Sequence, residues 1–82
     1  MSVIEPCGTT DDDLIRAEIR AKALLETTRM PHHVIEAGRP GEESGLIIVV
    51  DNAGLEQIYR DSRVGWVEEL DSFVDEDGTP SR

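Results

Sequence analysis

The run Leu46-Ile47-Ile48-Val49-Val50 is the longest apolar stretch of the chain and constrains its fold more than any other feature. Four of its five residues are β-branched, and Gly45 and Asn52 bound it, so it reads as a strand. Strand side chains alternate between two faces, and this strand is apolar on both. It therefore belongs at the centre of a sheet or between two covering layers. The run is far too short to cross a bilayer, where about 20 apolar residues are needed.

A partner strand lies just upstream. His32–Ala37 is bounded by Pro31 and Gly38, and "GRPGEES" (38–44) supplies the loop of an antiparallel hairpin. A lone hairpin is marginal in water. Two completions are open: the N-terminal arm around Val3 and Ile4 adds a strand, or two chains pair their edges. Residues 1–9 otherwise read as a flexible or extended arm, 10–76 as the single domain, and 77–82 as a frayed tail. With 82 residues there is no room for a second core. A chain this short buries only roughly 60–65% of its unfolded surface, a thin margin that favours a partner or a second copy.

Three helices are expected around the hairpin. "TTDDD" (9–13) starts the first: Thr10 or Asp11 caps it, the aspartates suit its positive end, and Pro31 stops it after about Thr28. At 100° per residue this helix has two apolar stripes. Leu14, Ala17, Ala21, Leu24 and Leu25 form the broad one, suited to cover a sheet; Ile15, Ile19 and Ala23 form a narrow one that needs other cover, such as a second copy. "DNAG" (51–54) leads into a short helix over about 53–61, with Leu55, Ile58 and Tyr59 inward. In residues 65–76, Trp66, Val67, Leu70, Phe73 and Val74 share a helical side opposite Glu68, Glu69, Asp71, Asp75 and Glu76. The expected fold is α+β, ordered helix–strand–strand–helix–helix with an antiparallel hairpin, completed within the chain or by dimerisation.

Charge is the main lead to function. Eighteen acids against eight bases give a net charge of −10, which opposes direct binding to nucleic acid or to anionic membranes and favours a basic partner. The surplus is regional. Residues 1–41 hold seven acids and five bases, whereas residues 42–82 hold eleven and three. Within 65–78 stand six carboxylates and no base. On a helix, Glu68–Asp71 and Asp71–Asp75 are like-charge neighbours costing about 0.2–0.5 kcal/mol each, and Asp75, Glu76 and Asp77 would oppose the dipole at its C-terminus. Local choices that work against stability point to a recognition role, here a negative helical face docking on a groove built for nucleic acid.

No catalytic or cofactor signature is present. Adjacent histidines on a strand, His32 and His33, point to opposite faces and cannot share a metal. Cys7 is the only cysteine, which excludes an internal disulfide and a cysteine-rich zinc site. "GRPGEESG" lacks the Lys-Ser/Thr of a phosphate loop, and "DEDG" lacks the rest of a calcium loop. Arg16 and Arg20 are flanked by acids and make no nucleic-acid patch. "MSVIEPCG" has no secretory character, so a cytoplasmic setting is expected. In size and charge the chain is similar to small phage-encoded inhibitors such as anti-CRISPR proteins, a likeness of composition without a shared motif. The reading is a non-enzymatic acidic inhibitor or adaptor without metal or cofactor, docking Glu68, Glu69, Asp71, Asp75 and Glu76 on a basic surface. The alternative is a homodimeric structural or regulatory subunit held by Ile15, Ile19 and Ala23 or by strand edges.

Overall fold

In the computed structural model, which describes residues 2–74, the strand at Leu46–Asp51 (β3) is central, with Ile47, Ile48, Val49 and Val50 buried on both faces and Leu46 exposed at its start. It pairs antiparallel with His32–Gly38 (β2) on one side and with Ile4–Gly8 (β1) on the other. Trp66–Phe73 (β4) adds antiparallel to the outer side of β2, giving a four-stranded sheet of order β1-β3-β2-β4. Two helices complete the α+β domain: α1, Asp11–Thr28, and α2, Asn52–Arg60. The chain order is thus strand–helix–strand–strand–helix–strand, not helix–strand–strand–helix–helix. The N-terminal arm supplies the third strand, so the hairpin is completed within the chain.

Connection geometry places the helices. β1 and β2 run parallel with β3 between them, and β3 and β4 run parallel with β2 between them. Both crossovers step the same way across the sheet, but from strands of opposite direction. The right-handed preference of such crossovers therefore sends α1 and α2 to opposite faces. Two core clusters result. Ala17 and Ala21 of α1 pack on Val34, Ile47 and Val49; Ile58 of α2 packs on Ile35, Ile48 and Val50. Alternate residues of β2 and β3 feed alternate clusters, which is why β3 is apolar on both sides.

α1 forms where the sequence places it. Thr10 is the cap: its hydroxyl accepts from Asp13 N, while Asp13 Oδ2 accepts from Thr10 N, a reciprocal capping box. The helix ends at Arg29, which adopts a left-handed conformation at φ 61° and returns its N–H to Leu25 O. The broad stripe covers the sheet: Ala17 and Ala21 are fully buried, with Leu14 and Leu24 beside them. The narrow stripe faces outward, with Ile15 55% and Ile19 65% exposed and Ala23 half-buried.

The third expected helix is a strand. β4 pairs with β2 from Trp66 opposite Gly38 to Phe73 opposite His32. Asp71 stands opposite Val34 and Glu69 opposite Ile35, so Leu70 is the extra residue of a bulge. That extra residue breaks the alternation, letting Leu70 and Phe73 both reach the α1 core while Val67 reaches the α2 core. A bulged strand thus imitates helical spacing. The helical penalties do not apply to an extended strand, although Glu68 and Asp71, opposite Glu36 and Val34, still lean to one side of it. Asp75, Glu76 and the 77–82 tail lie outside the described residues.

Candidate binding edge

β4 is an outer strand, and the side away from β2 has no neighbour among the described residues. Its placement rests on both ends. At one end Trp66 lies over Gly38: a Cβ at Gly38 would stand 2.6 Å from the indole, so only glycine leaves room. The indole N–H donates to Glu42 O at 2.9 Å, and Gly65 N donates to Gly38 O at 2.7 Å. At the other end Phe73 packs into the α1 core.

The acids expected on one helical face are divided between two sides of this edge. Residues directly opposite across a ladder share a face. Glu68, opposite Glu36, and Asp71, opposite Val34, therefore lean to the α1 side, and Glu69, opposite Ile35, leans to the α2 side. All three are exposed. None has a cation within ion-pair distance among the described residues. Glu68 faces Glu36 across the ladder, and Glu36 turns its Oε2 to accept from Gly45 N at 2.8 Å. Asp71 Oδ1 accepts from Ser72 N. The structure thus keeps Glu68, Glu69 and Asp71 together on one exposed element, as a strip rather than a helical face.

The histidines separate as strand geometry requires. His32 is buried, its Nδ1–H donates to Met30 O at 2.8 Å, and its Nε2 has no partner among the described residues. His33 faces the other way: Nε2–H donates to Asn52 Oδ1 at 2.6 Å, leaving Nδ1 to accept from the Ser72 hydroxyl at 3.0 Å. The last bond ties β2 to the end of β4. Among the described residues no three metal-ligating side chains converge. Cys7 is half-buried, and burial raises its thiol from the ordinary value, with Glu5 and Asp13 adding to the rise. A thiol held protonated is a poor nucleophile.

One feature the sequence reading missed is a cleft of about 510 Å³ at the end of the sheet beside the β2–β3 loop, lined in part by Arg39, Ser44, Ile48, Ile58, Arg63 and Val64. Arg39 and Arg63 lie far apart in sequence, in loops that only the sheet brings together. Arg63 is fixed by Asp61, whose carboxylate accepts from Nη2 at 2.9 Å and Nε at 3.1 Å. Those bonds, with one from Arg63 N, hold the Asp61 carboxyl down to about 2.

Comparison with protein-family models, curated proteins and solved structures finds no match. The class that the fold defines is a small α+β domain with a helix on each face of its four-stranded antiparallel sheet and, among the described residues, exposed carboxylates on its β4 edge. No helix among the described residues is long and apolar enough to cross a membrane.

Proposed function

We propose that the protein is a non-enzymatic binding module, an inhibitor or adaptor, whose acidic β4 edge docks on a basic, nucleic-acid-binding surface of a partner protein. The observation that carries this reading is Glu68, Glu69 and Asp71 exposed on an unpaired edge, without a cation among the described residues. Such an edge offers two kinds of contact. Backbone N–H and C=O groups can pair with an extended segment of the partner, and carboxylates on both sides can meet its lysines and arginines. Charge also keeps the edge from pairing with itself, because like charges would face one another. A basic partner removes that repulsion; a second copy does not.

The test is capture of partners from the native host lysate at low and then moderate salt, using the wild type and Glu68→Gln/Glu69→Gln/Asp71→Asn. The wild type is expected to retain a basic nucleic-acid-binding protein that salt releases, and the variant to lose it. Retention of the same protein by the folded variant would sink the reading. Asp75 and Glu76 belong to the same proposed surface, and Asp75→Asn added to the triple variant should weaken capture further.

A second reading, a homodimeric subunit, is favoured by the outward face of α1, where Ile15 and Ile19 are more than half exposed beside Ala23. Ile15→Asp with Ile19→Asp should then halve the mass in solution by light scattering. An unchanged mass for the folded variant excludes that stripe.

A further inference from the structure

The cleft beside the β2–β3 loop differs in chemistry from the rest of the surface. Its floor is the outer end of the α2-side core: Ile48 and Ile58 are 6% and 8% exposed, and Val64 completes the apolar base. Its mouth carries Arg39 and Arg63 against Glu42, in a chain whose acids outnumber its bases eighteen to eight. Glu42 is held by the backbone, its Oε1 accepting from Arg39 N at 2.7 Å. The Arg39 guanidinium has no ion-pair partner among the described residues. Ser44 adds a hydroxyl-bearing residue to the same lining. The volume, about 510 Å³, falls within the range of small-molecule sites.

We infer that this cleft binds a small monocarboxylate with an apolar body, the hydrocarbon over Ile48, Ile58 and Val64 and the carboxylate at Arg39 and Ser44. An uncharged ligand would leave the Arg39 guanidinium unused and a cation would meet it; Arg63 is already neutralised by Asp61, and Glu42 is turned to the Arg39 backbone N–H. A dicarboxylate would place its second charge on the apolar floor, where desolvation is unfavourable. The site is on the α2 side of the sheet end and does not depend on the β4 edge for its chemistry.

The molecule contains its own reporter. Trp66 is the only tryptophan, and it contacts Gly38 and bonds to Glu42, both of which line the cleft. Octanoate is the probe, with octanol and octylamine as matched controls. Octanoate is expected to change Trp66 emission saturably, and to shift the amide resonances of Gly38 and Gly45 in a two-dimensional NMR spectrum while leaving Glu68–Asp71 in place. Arg39→Gln, at an exposed position, should weaken octanoate about tenfold, as loss of one charge-assisted contact implies. The inference is overturned if neither signal responds, if all three probes bind alike, or if Arg39→Gln binds as well as the wild type. Tighter binding of an acetylated peptide ending in a leucine carboxylate would overturn the small-molecule assignment in favour of a chain terminus.

Discussion

At the β1 edge of the sheet, Glu5 accepts two bonds from Arg20, 2.9 Å from Nε and 3.1 Å from Nη2, and so fastens the strand to α1. At the β4 edge, Glu68, Glu69 and Asp71 have no such partner among the described residues. Pro6 removes an N–H from β1, which makes that edge the poorer template for a further strand. β4 has neither proline nor fixed ion pairs. Carboxylates of the same kind thus serve cohesion on one side and remain available on the other. What separates them is reach: Arg20 of α1 meets Glu5, whereas Lys22 and Arg29 of α1 line a pocket with Ser72, Phe73 and Val74 at the end of β4.

The strongest way to break the comparison is to detach β4. Gly38→Val places a side chain where the Trp66 indole lies and should cost about 3 kcal/mol in urea unfolding. If the loss is under about 1 kcal/mol, Trp66 is not what holds that edge. On the β1 side the matching device is Asp51, whose Oδ1 accepts from Val3 N at 3.1 Å and Gly54 N at 2.7 Å, joining the arm to the start of α2. Asp51→Ala removes a cap and leaves those N–H groups without it, at an expected cost of about 2 kcal/mol. Asp51→Asn keeps the acceptor oxygen and should recover most of it.

The pH dependence of stability separates the edges further. Burial alone would raise the Asp51 carboxyl, but hydrogen bonds from Val3 and Gly54 outweigh it and leave the value lowered. Glu5 is lowered chiefly by its hydrogen bonds from Arg20. A folded value below the unfolded one stabilises fully above the ordinary carboxylate range, and that contribution is lost as pH falls through the folded value. Stability should therefore decline below about pH 4, and Asp51→Asn should flatten that decline. A slope unchanged by Asp51→Asn would place the acid sensitivity elsewhere. The Glu5–Arg20 pair is half exposed and screened, so Glu5→Gln should cost only about 0.5 kcal/mol. The smallest effect belongs to Glu68→Gln/Glu69→Gln/Asp71→Asn, expected within about 0.5 kcal/mol of wild type. A large destabilisation there would mean that the β4 acids hold the fold, contrary to their separation from any cation described.

Much of this was legible in the residues themselves. Thr10, Asp13 and Pro31 specify α1 locally, and the apolar run of β3 demands cover on both faces whatever surrounds it. The alternation of His32 and His33 follows from strand geometry alone. Residues 65–74 were not legible in the same way, since the bulge at Leu70 gives Trp66, Val67, Leu70 and Phe73 a helix-like spacing. Only the open side of β2, with a glycine to receive Trp66, selects the strand there. The unfavourable run of acids was the local sign against a helix, readable in principle as a structural conflict and not only as a functional one.

The sequence by itself determined the α1 cap, the β2–β3 hairpin and the excess of carboxylates in the second half, because each depends on neighbours within a few residues. The tertiary structure decided which acids are paired and which are bare. It also decided that β1 closes the sheet within one chain, and that Arg39 and Arg63 flank a common cleft. Those outcomes depend on contacts between residues distant in the chain, through strand order and crossover direction, and no local spacing encodes them.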